Sequence, residues 1–187
     1  MHIQTHILSG WLAGNLVPVF GPRERFFCML AASLPDLDGL SLLGGWECYY
    51  DYHHVLAHNL PFAVVLAGGL AFFSRPRMTA FIVYFLLVHL HLLLDLFGSG
   101  GGWYFEYLWP FSRLRIGTGY AWEFYSWQNL SAGALLIILT VLVIYRKKRT
   151  FLEYPMPKLN RELVTWFEEH RPWRTLFPKD EARRRHR

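Results

Sequence analysis

The hydrophobic residues of this chain fall into five stretches separated by short polar or glycine-rich segments. The stretches occupy residues 7–20, 26–34, 60–73, 78–97 and 130–145. A helix that crosses the hydrocarbon core of a bilayer needs about 20 apolar residues, with a lower limit of about 17. The fourth stretch reaches this length, the fifth is the most uniformly apolar, and the first two are short enough to be re-entrant or half-crossing helices. The pattern predicts an all-α, multi-span membrane helical bundle with some short helices and an aromatic-rich outer loop over residues 98–127.

Composition supports a membrane protein of modest size. Hydrophobic residues make up 53% of the 187 residues, against about 45–50% in a typical soluble domain. The length suits one domain of about 100–200 residues. We expect a membrane-embedded domain over residues 1–149, which carries the candidate metal ligands described below. Residues 150–187 are expected to form a cytoplasmic basic tail with a short amphipathic helix.

The basic residues predict an orientation in the membrane. The net charge of +5 is concentrated at residues 146–149 and 183–187, a pattern that suits membrane flanks better than a nucleic-acid surface, so no nucleic-acid partner is expected. Arginines also separate the first two apolar stretches, at 23 and 25, and the next two, at 75 and 77. The positive-inside rule places all these segments in the cytoplasm. Every candidate ligand cluster then lies at the opposite, non-cytoplasmic face.

Polar residues inside the fourth stretch are the first candidate ligands. Ionisable side chains are costly in a bilayer and persist mainly where they pair, bind a metal or face water. His91 and Asp95 are four residues apart, so they share one face of a helix and can bind the same ion. His89 points away from that face and is expected to be an ordinary hydrogen-bonded residue. His6, at the mouth of the first stretch, is a further candidate ligand, whereas His2 is expected to be a solvated terminal residue.

Two further segments offer ligands at the same membrane face. Asp36 and Asp38 follow a proline in "LPDLDGL", where a helix is expected to end, and two carboxylates that close repel each other unless a cation or proton lies between them. Asp36 is the candidate ligand, and the sequence leaves Asp38 open as a turn cap, a ligand or a general base. In "YHHVLAHNLPF" the spacing does not choose between His53 and His54, and Asn59 before Pro61 is a plausible helix N-cap.

These motifs, taken in chain order, carry a family resemblance. The chain contains, in order, "TH" with Gly10, "PDLD", a paired-histidine segment ending in "AHN", "HLLLD" with its glycine-rich turn, and "WPFS". Together they resemble the YdjM-like, LexA-binding group of bacterial inner-membrane proteins, which are predicted to be metal-dependent hydrolases. The resemblance covers roughly residues 1 to 145. The order of the motifs is also loosely similar to that of zinc-dependent phospholipase C.

The resemblance implies a ligand set and a location. The family pattern HRxxxHS matches His53 and His58, with His54 at the arginine position and Asn59 at the serine position, and HxxxD matches His91 and Asp95. We therefore expect a multi-pass protein of the bacterial inner membrane that binds a divalent metal, most simply zinc. The number of ions, one or two or more, stays open. The expected metal ligands are His6, Asp36, His53, His58, His91 and Asp95, with Asp36 and Asp38 as catalytic residues.

Hydrolysis is the chemistry that such a site favours. An ion held by imidazoles and carboxylates lowers the pKa of its bound water to about 7 and polarises a phosphoryl or acyl oxygen. The expected reaction is hydrolysis of a phosphoester such as a phospholipid headgroup, with membrane lipids as partners. Two alternatives remain open: a transporter or an ion or proton relay that uses the His/Asp cluster, and a scaffold with a structural metal. A closed shell of four ligands would favour the scaffold.

Overall fold

The structure, a computed structural model, describes residues 1–170 and is mostly helical. The α-helices are α1 (Ile3–Leu16), α2 (Pro22–Ser33), α3 (Trp46–Tyr52), α4 (Leu60–Phe72), α5 (Arg77–Gly98), α6 (Trp127–Lys147) and α7 (Pro157–Glu169). A 3₁₀ helix, Leu34–Gly44, continues α2 directly, and two short strands, β1 (Tyr104–Glu106) and β2 (Arg115–Gly117), lie between α5 and α6. The predicted helical fold is confirmed. The basic cluster at 183–187 lies outside the described residues.

Within residues 1–170, three helical segments are long and apolar enough to cross a membrane. They are Pro22–Gly44, Arg77–Gly98 and Trp127–Lys147. The segment Pro22–Gly44 contains the second apolar stretch, which was expected to form a short helix, but the 3₁₀ helix lengthens it to 23 residues. Pro35 lies at the change from α-helix to 3₁₀ helix, as expected for a residue that lacks a backbone N–H. The broken segment carries Asp36 and Asp38 just beyond this change.

Helices α2 and α5 run side by side in the same direction. At one end, Glu24 of α2 accepts a hydrogen bond from the backbone N–H of Arg75 at 3.3 Å, and the Tyr84 hydroxyl donates to the Glu24 carbonyl at 3.4 Å. Toward the other end, the His91 ring donates to the carbonyl oxygen of Ala32 at 2.8 Å. The arginine-bearing segments therefore share one end of this helix pair, and the candidate ligands lie toward the other end.

Small residues allow the helices to approach closely. A Cβ at Gly10 of α1 would lie 2.4 Å from the Cys28 carbonyl oxygen and 2.8 Å from the Ala32 Cβ, so α1 and α2 meet where only glycine fits. Helix α4 buries Ala63, Ala67 and Ala71 along one face. Small residues at helix interfaces are typical of membrane bundles. The buried core between these helices also contains Phe20, Ala31, Ala80, Tyr84 and Leu87.

The aromatic-rich loop is fastened to the end of α5. Strands β1 and β2 form an antiparallel pair in which Phe105 lies opposite Ile116. Asn129, fully buried at the start of α6, donates through its amide to the carbonyl oxygens of Gly98 at 2.8 Å and Phe124 at 2.9 Å. Its side-chain oxygen accepts from the Trp122 indole at 2.6 Å. The loop contains helix-like turns and a short hairpin, and exposes Tyr120 and Tyr125.

The chain divides into two compact units, Met1–Val141 and a second unit from Leu142 onward. In the second unit, the backbone N–H of Thr150 donates to the Asn160 side-chain oxygen at 2.7 Å, and Lys148 forms an ion pair with Glu168. Helix α7 includes the segment expected to form a short amphipathic helix.

Candidate metal centre

Six histidine and aspartate side chains from four segments converge near the end of α5. They form two overlapping groups whose potential ligand atoms lie within 4.8 Å of one another. The first group is His6, Asp36, His91 and Asp95, and the second group is His54, His58 and Asp95. All are buried except Asp36, whose side chain is 23% exposed. A buried cluster with both imidazole and carboxylate groups is the donor set that zinc prefers.

The tautomer of His91 is fixed by its backbone partner. Its Nδ1 lies 2.8 Å from the carbonyl oxygen of Ala32, which can only accept, so Nδ1 carries the hydrogen. The Nε2 atom then presents its lone pair to the cluster, where it lies 2.9 Å from Asp95 Oδ2 and 3.6 Å from Asp36 Oδ1. A histidine whose second nitrogen donates to a carbonyl is the usual arrangement of a metal ligand.

Asp38 organises the loop that carries the other histidines. Its Oδ2 accepts from His58 Nδ1 at 2.8 Å and from the backbone N–H groups of His54 at 3.1 Å and Ala57 at 3.2 Å. Its Oδ1 accepts from His53 Nδ1 at 2.7 Å. These four hydrogen bonds curve the loop around the carboxylate. They also fix the hydrogen of His58 on Nδ1, so Nε2 of His58 faces the cluster.

The two oriented imidazoles face each other. Nε2 of His58 lies 3.1 Å from Nε2 of His91, and 3.4 Å from Asp95 Oδ2. Because both Nδ1 hydrogens are donated elsewhere, two neutral rings would bring two lone pairs together, which is repulsive. Either a proton or a metal ion must lie between them. At 3.1 Å a proton on His58 can bridge the two nitrogens when no metal is bound, and a cation that displaces this proton would find both Nε2 atoms directed into the cluster.

The pKa values of the two buried loop histidines, His54 and His58, shift in opposite directions. Burial lowers the pKa of His54 well below its ordinary value, and the charge of His58 adds to this effect. Burial alone would also lower the pKa of His58, but hydrogen bonds to Asp38 and Asp95 outweigh it and raise that pKa to about 9. In the absence of metal, His58 therefore holds a proton at neutral pH, and His54 is a neutral imidazole.

The two oxygens of the Asp95 carboxylate face different partners. Oδ1 lies 3.2 Å from His6 Nε2 and also contacts the amino group of Met1, whereas Oδ2 faces His91 and His58. The carboxylate is surrounded by nitrogen atoms on both sides. It is the residue common to both groups.

The structure brings together five of the six expected metal ligands: His6, Asp36, His58, His91 and Asp95. His53 lies beside them, with its ring bonded to Asp38 and outside both groups, while its neighbour His54 joins the second group. Of the two histidines between which the spacing did not choose, the structure places His54 inside the cluster, and which of them binds a metal stays a prediction. Asp38 supports His53 and His58 and belongs to neither group.

Two histidines lie away from the cluster: His89, as expected, and His2, which was expected to be solvated but is partly buried. His89 bonds to the carbonyl oxygen of Phe85 and to the Tyr107 hydroxyl, both at 2.8 Å. His2 packs edge-on against Phe124, with ring centroids 4.2 Å apart. Asn59 caps α4, since its side chain accepts from the backbone N–H of Phe62 at 2.8 Å. The histidines of the 53–58 loop therefore precede the helix.

Comparison with known proteins assigns the chain to a family. Residues 1–156, which include the whole His/Asp cluster, match the family described as YdjM inner membrane protein. The chain belongs to the YdjM inner membrane protein family. This membership agrees with the three apolar helices and establishes an inner-membrane protein. No curated protein and no solved structure matches the chain.

Proposed function

We propose that the protein is a metal-dependent hydrolase of the inner membrane that acts on a phosphoester, with a phospholipid headgroup as the simplest substrate. The observation that carries the proposal is the 3.1 Å approach of the His58 and His91 Nε2 atoms, whose lone pairs are both directed into a cluster of carboxylates. Imidazoles and carboxylates placed in this way suit a divalent cation, most simply zinc, which would displace the proton of His58.

A bound divalent ion would polarise the phosphoryl oxygen and supply an activated water molecule. The protein's own residues have separate tasks. His6, His91 and Asp95 hold the ion from the buried side, and His58 lies beside them with its Nε2 directed into the cluster. Asp36 is the partly exposed carboxylate of the cluster, so we assign it to the open side, where it orients water and accepts its proton. Asp38, which makes four hydrogen bonds within the loop, holds His58 in the ligand tautomer.

The position of the cluster supports a substrate at the membrane surface. Asp95 is three residues from the end of α5, and the arginine-bearing segments lie at the other end of the α2–α5 pair. With those arginines in the cytoplasm, the cluster opens at the non-cytoplasmic face of a multi-pass protein. Aromatic residues near this end, including Trp103, Tyr120 and Tyr125, suit the headgroup region of a bilayer.

Hydrolysis of defined lipids tests the proposal. The purified protein in mixed micelles would be incubated with zinc and individual phospholipids, and ³¹P NMR would follow the appearance of new phosphate species. We expect zinc-dependent turnover that is abolished in Asp36→Ala and retained in Asp51→Ala, a matched change at an exposed aspartate on α3. Failure of the zinc-loaded, folded protein to hydrolyse any phosphoester would refute the hydrolase proposal.

A structural metal is the second candidate, and the near-complete burial of the ligands favours it. It predicts a different response to the same substitution. If the ion only ties the helices together, Asp36→Ala lowers the melting temperature by as much as metal removal does. If the ion is catalytic, Asp36→Ala remains folded and loses turnover. Thermal unfolding of the wild type and of Asp36→Ala, each with and without chelator, separates the two functions.

A further inference from the structure

The cluster offers more potential ligand atoms than one zinc ion binds. Six side chains contribute to the two groups, whereas a zinc site in a protein normally has four ligands. The first group alone supplies two imidazoles and two carboxylates. The remaining donors, on His54 and His58, lie on the loop side of Asp95. This inference rests on the proposed metal centre and concerns how many ions it holds.

His54 is held in an unusual backbone conformation that turns its ring into the cluster. Its φ of 67° lies in the left-handed region, which is strained for a residue with a Cβ atom. Such strain tends to occur at functional sites. The side chain is buried, and its ring lies 4.4 Å from that of His58 between centroids. Among residues 1–170, no hydrogen bond is formed by the ring nitrogens of His54, so they are available to bind an ion.

Asp95 lies where it can serve two ions at once. Its Oδ1 faces His6 of the first group at 3.2 Å, and its Oδ2 lies between the two groups, 2.9 Å from His91 and 3.4 Å from the loop histidine His58. A carboxylate that binds through both oxygens commonly bridges ions about 3.5–4 Å apart. We infer that His54, His58 and Asp95 form a second cation subsite, so that the centre takes two divalent ions with Asp95 between them.

The second subsite has the ligand number of a catalytic zinc site. Three protein ligands leave one coordination position open, whereas structural sites are closed by four. The Trp103 ring lies 4.8 Å from that of His54 between centroids and borders the subsite on the loop side. The first group, with four protein ligands, is the better anchored of the two. The open position, and with it the water or the substrate oxygen, therefore belongs to the His54 subsite.

Metal counting with matched histidine variants tests the second subsite. The detergent-solubilised protein would be equilibrated with zinc, freed of excess metal, and analysed for zinc per chain. We expect two ions in the wild type, one in His54→Ala and two in His89→Ala, whose ring bonds to Phe85 and Tyr107 and lies outside the cluster. One ion in both the wild type and His54→Ala would overturn the second subsite and leave the proposed function standing. No ion in the folded wild type would overturn both.

A spectroscopic measurement on the wild type avoids dependence on the variant's folding. Protein loaded with Mn²⁺ would be studied by electron paramagnetic resonance at increasing metal occupancy. Two ions about 3.5–4 Å apart should give a broadened, spin-coupled spectrum as the second ion binds. An isolated single-ion spectrum up to saturation would overturn the inference. Retention of the coupled spectrum in His54→Gln, which removes the imidazole, would do so as well.

Discussion

Replacing Asp38 with asparagine tests whether this residue orients His58 for metal binding. The carboxylate accepts from two imidazoles, at 2.7 and 2.8 Å, and from two backbone N–H groups, at 3.1 and 3.2 Å. An asparagine has one acceptor oxygen and an amide that donates, so it cannot accept on both sides. Facing an amide N–H, the His58 ring would move its hydrogen to Nε2, which then cannot bind a metal.

The size of this effect follows from the supporting role of Asp38. Loss of a partner that orients a metal ligand typically lowers metal affinity by about 10–100-fold, or about 1.4–2.8 kcal/mol. We expect zinc affinity of Asp38→Asn to fall within this range, as measured by competition with a chromogenic chelator. Asp51→Asn, the same change at an exposed position in α3, should bind zinc like the wild type. Wild-type affinity in folded Asp38→Asn would refute the assignment of Asp38 to orienting His58.

Three further outcomes follow from the structure. Zinc binding should displace the proton of His58, whose pKa is raised to about 9. Zinc affinity should therefore rise by up to about tenfold per pH unit below pH about 9 and level off above it. Calorimetry in buffers of different ionisation enthalpy would detect the released proton, and no release at neutral pH would contradict this. Gly10→Ala should lower the free energy of unfolding by about 1–3 kcal/mol, because its new Cβ would lie 2.4 Å from the Cys28 carbonyl oxygen. Gly68→Ala should not lower it, because nothing lies within 4 Å of a Cβ at that position. Equal melting temperatures of the two variants would contradict the close helix contact. Asn129→Ala should speed proteolysis within residues 99–126, because the loop loses the side-chain bonds to Gly98 and Phe124; an unchanged cleavage rate would show that other contacts fasten the loop.

The helices and most of the cluster could be predicted from the sequence because they depend on short-range patterns. The apolar stretches correspond to α1, α2, α4, α5 and α6. The i, i+4 spacing of His91 and Asp95 places both on one helix face, and their Nε2 and Oδ2 atoms lie 2.9 Å apart. Charge placement correctly grouped the two inter-helix arginine segments at one end, since a membrane protein separates basic loops from the opposite face.

The loop geometry could not be predicted because it depends on contacts between distant segments. His53 and His54 are adjacent, and the sequence match favoured His53 as the ligand. His54 has a left-handed φ, and the loop is held by hydrogen bonds to Asp38, which lies 16 residues away in the chain from His54. No local pattern signals a strained histidine. The paired histidines and the Asn59 cap were the available signals, and they place the loop without orienting its side chains.

The extended first span was also beyond local reasoning. Pro35 indicates the end of an α-helix, and the sequence therefore predicted a short helix followed by a turn. The chain instead continues as a 3₁₀ helix to Gly44. Asp38, within that continuation, is buried because the 53–58 loop folds over it. Tertiary contacts of this kind fix the conformation beyond the proline.

Zinc content of the purified protein tests the central claim, that the His/Asp cluster is a metal centre, most directly. Elemental analysis would compare the wild type with His91→Ala, which removes a nitrogen 2.9 Å from Asp95, and with His89→Ala, which removes a histidine from the same helix outside the cluster. We expect stoichiometric zinc in the wild type and in His89→Ala, and a loss of at least one ion in His91→Ala. Absence of stoichiometric metal from the folded wild type, or equal zinc in all three proteins, would contradict the metal centre.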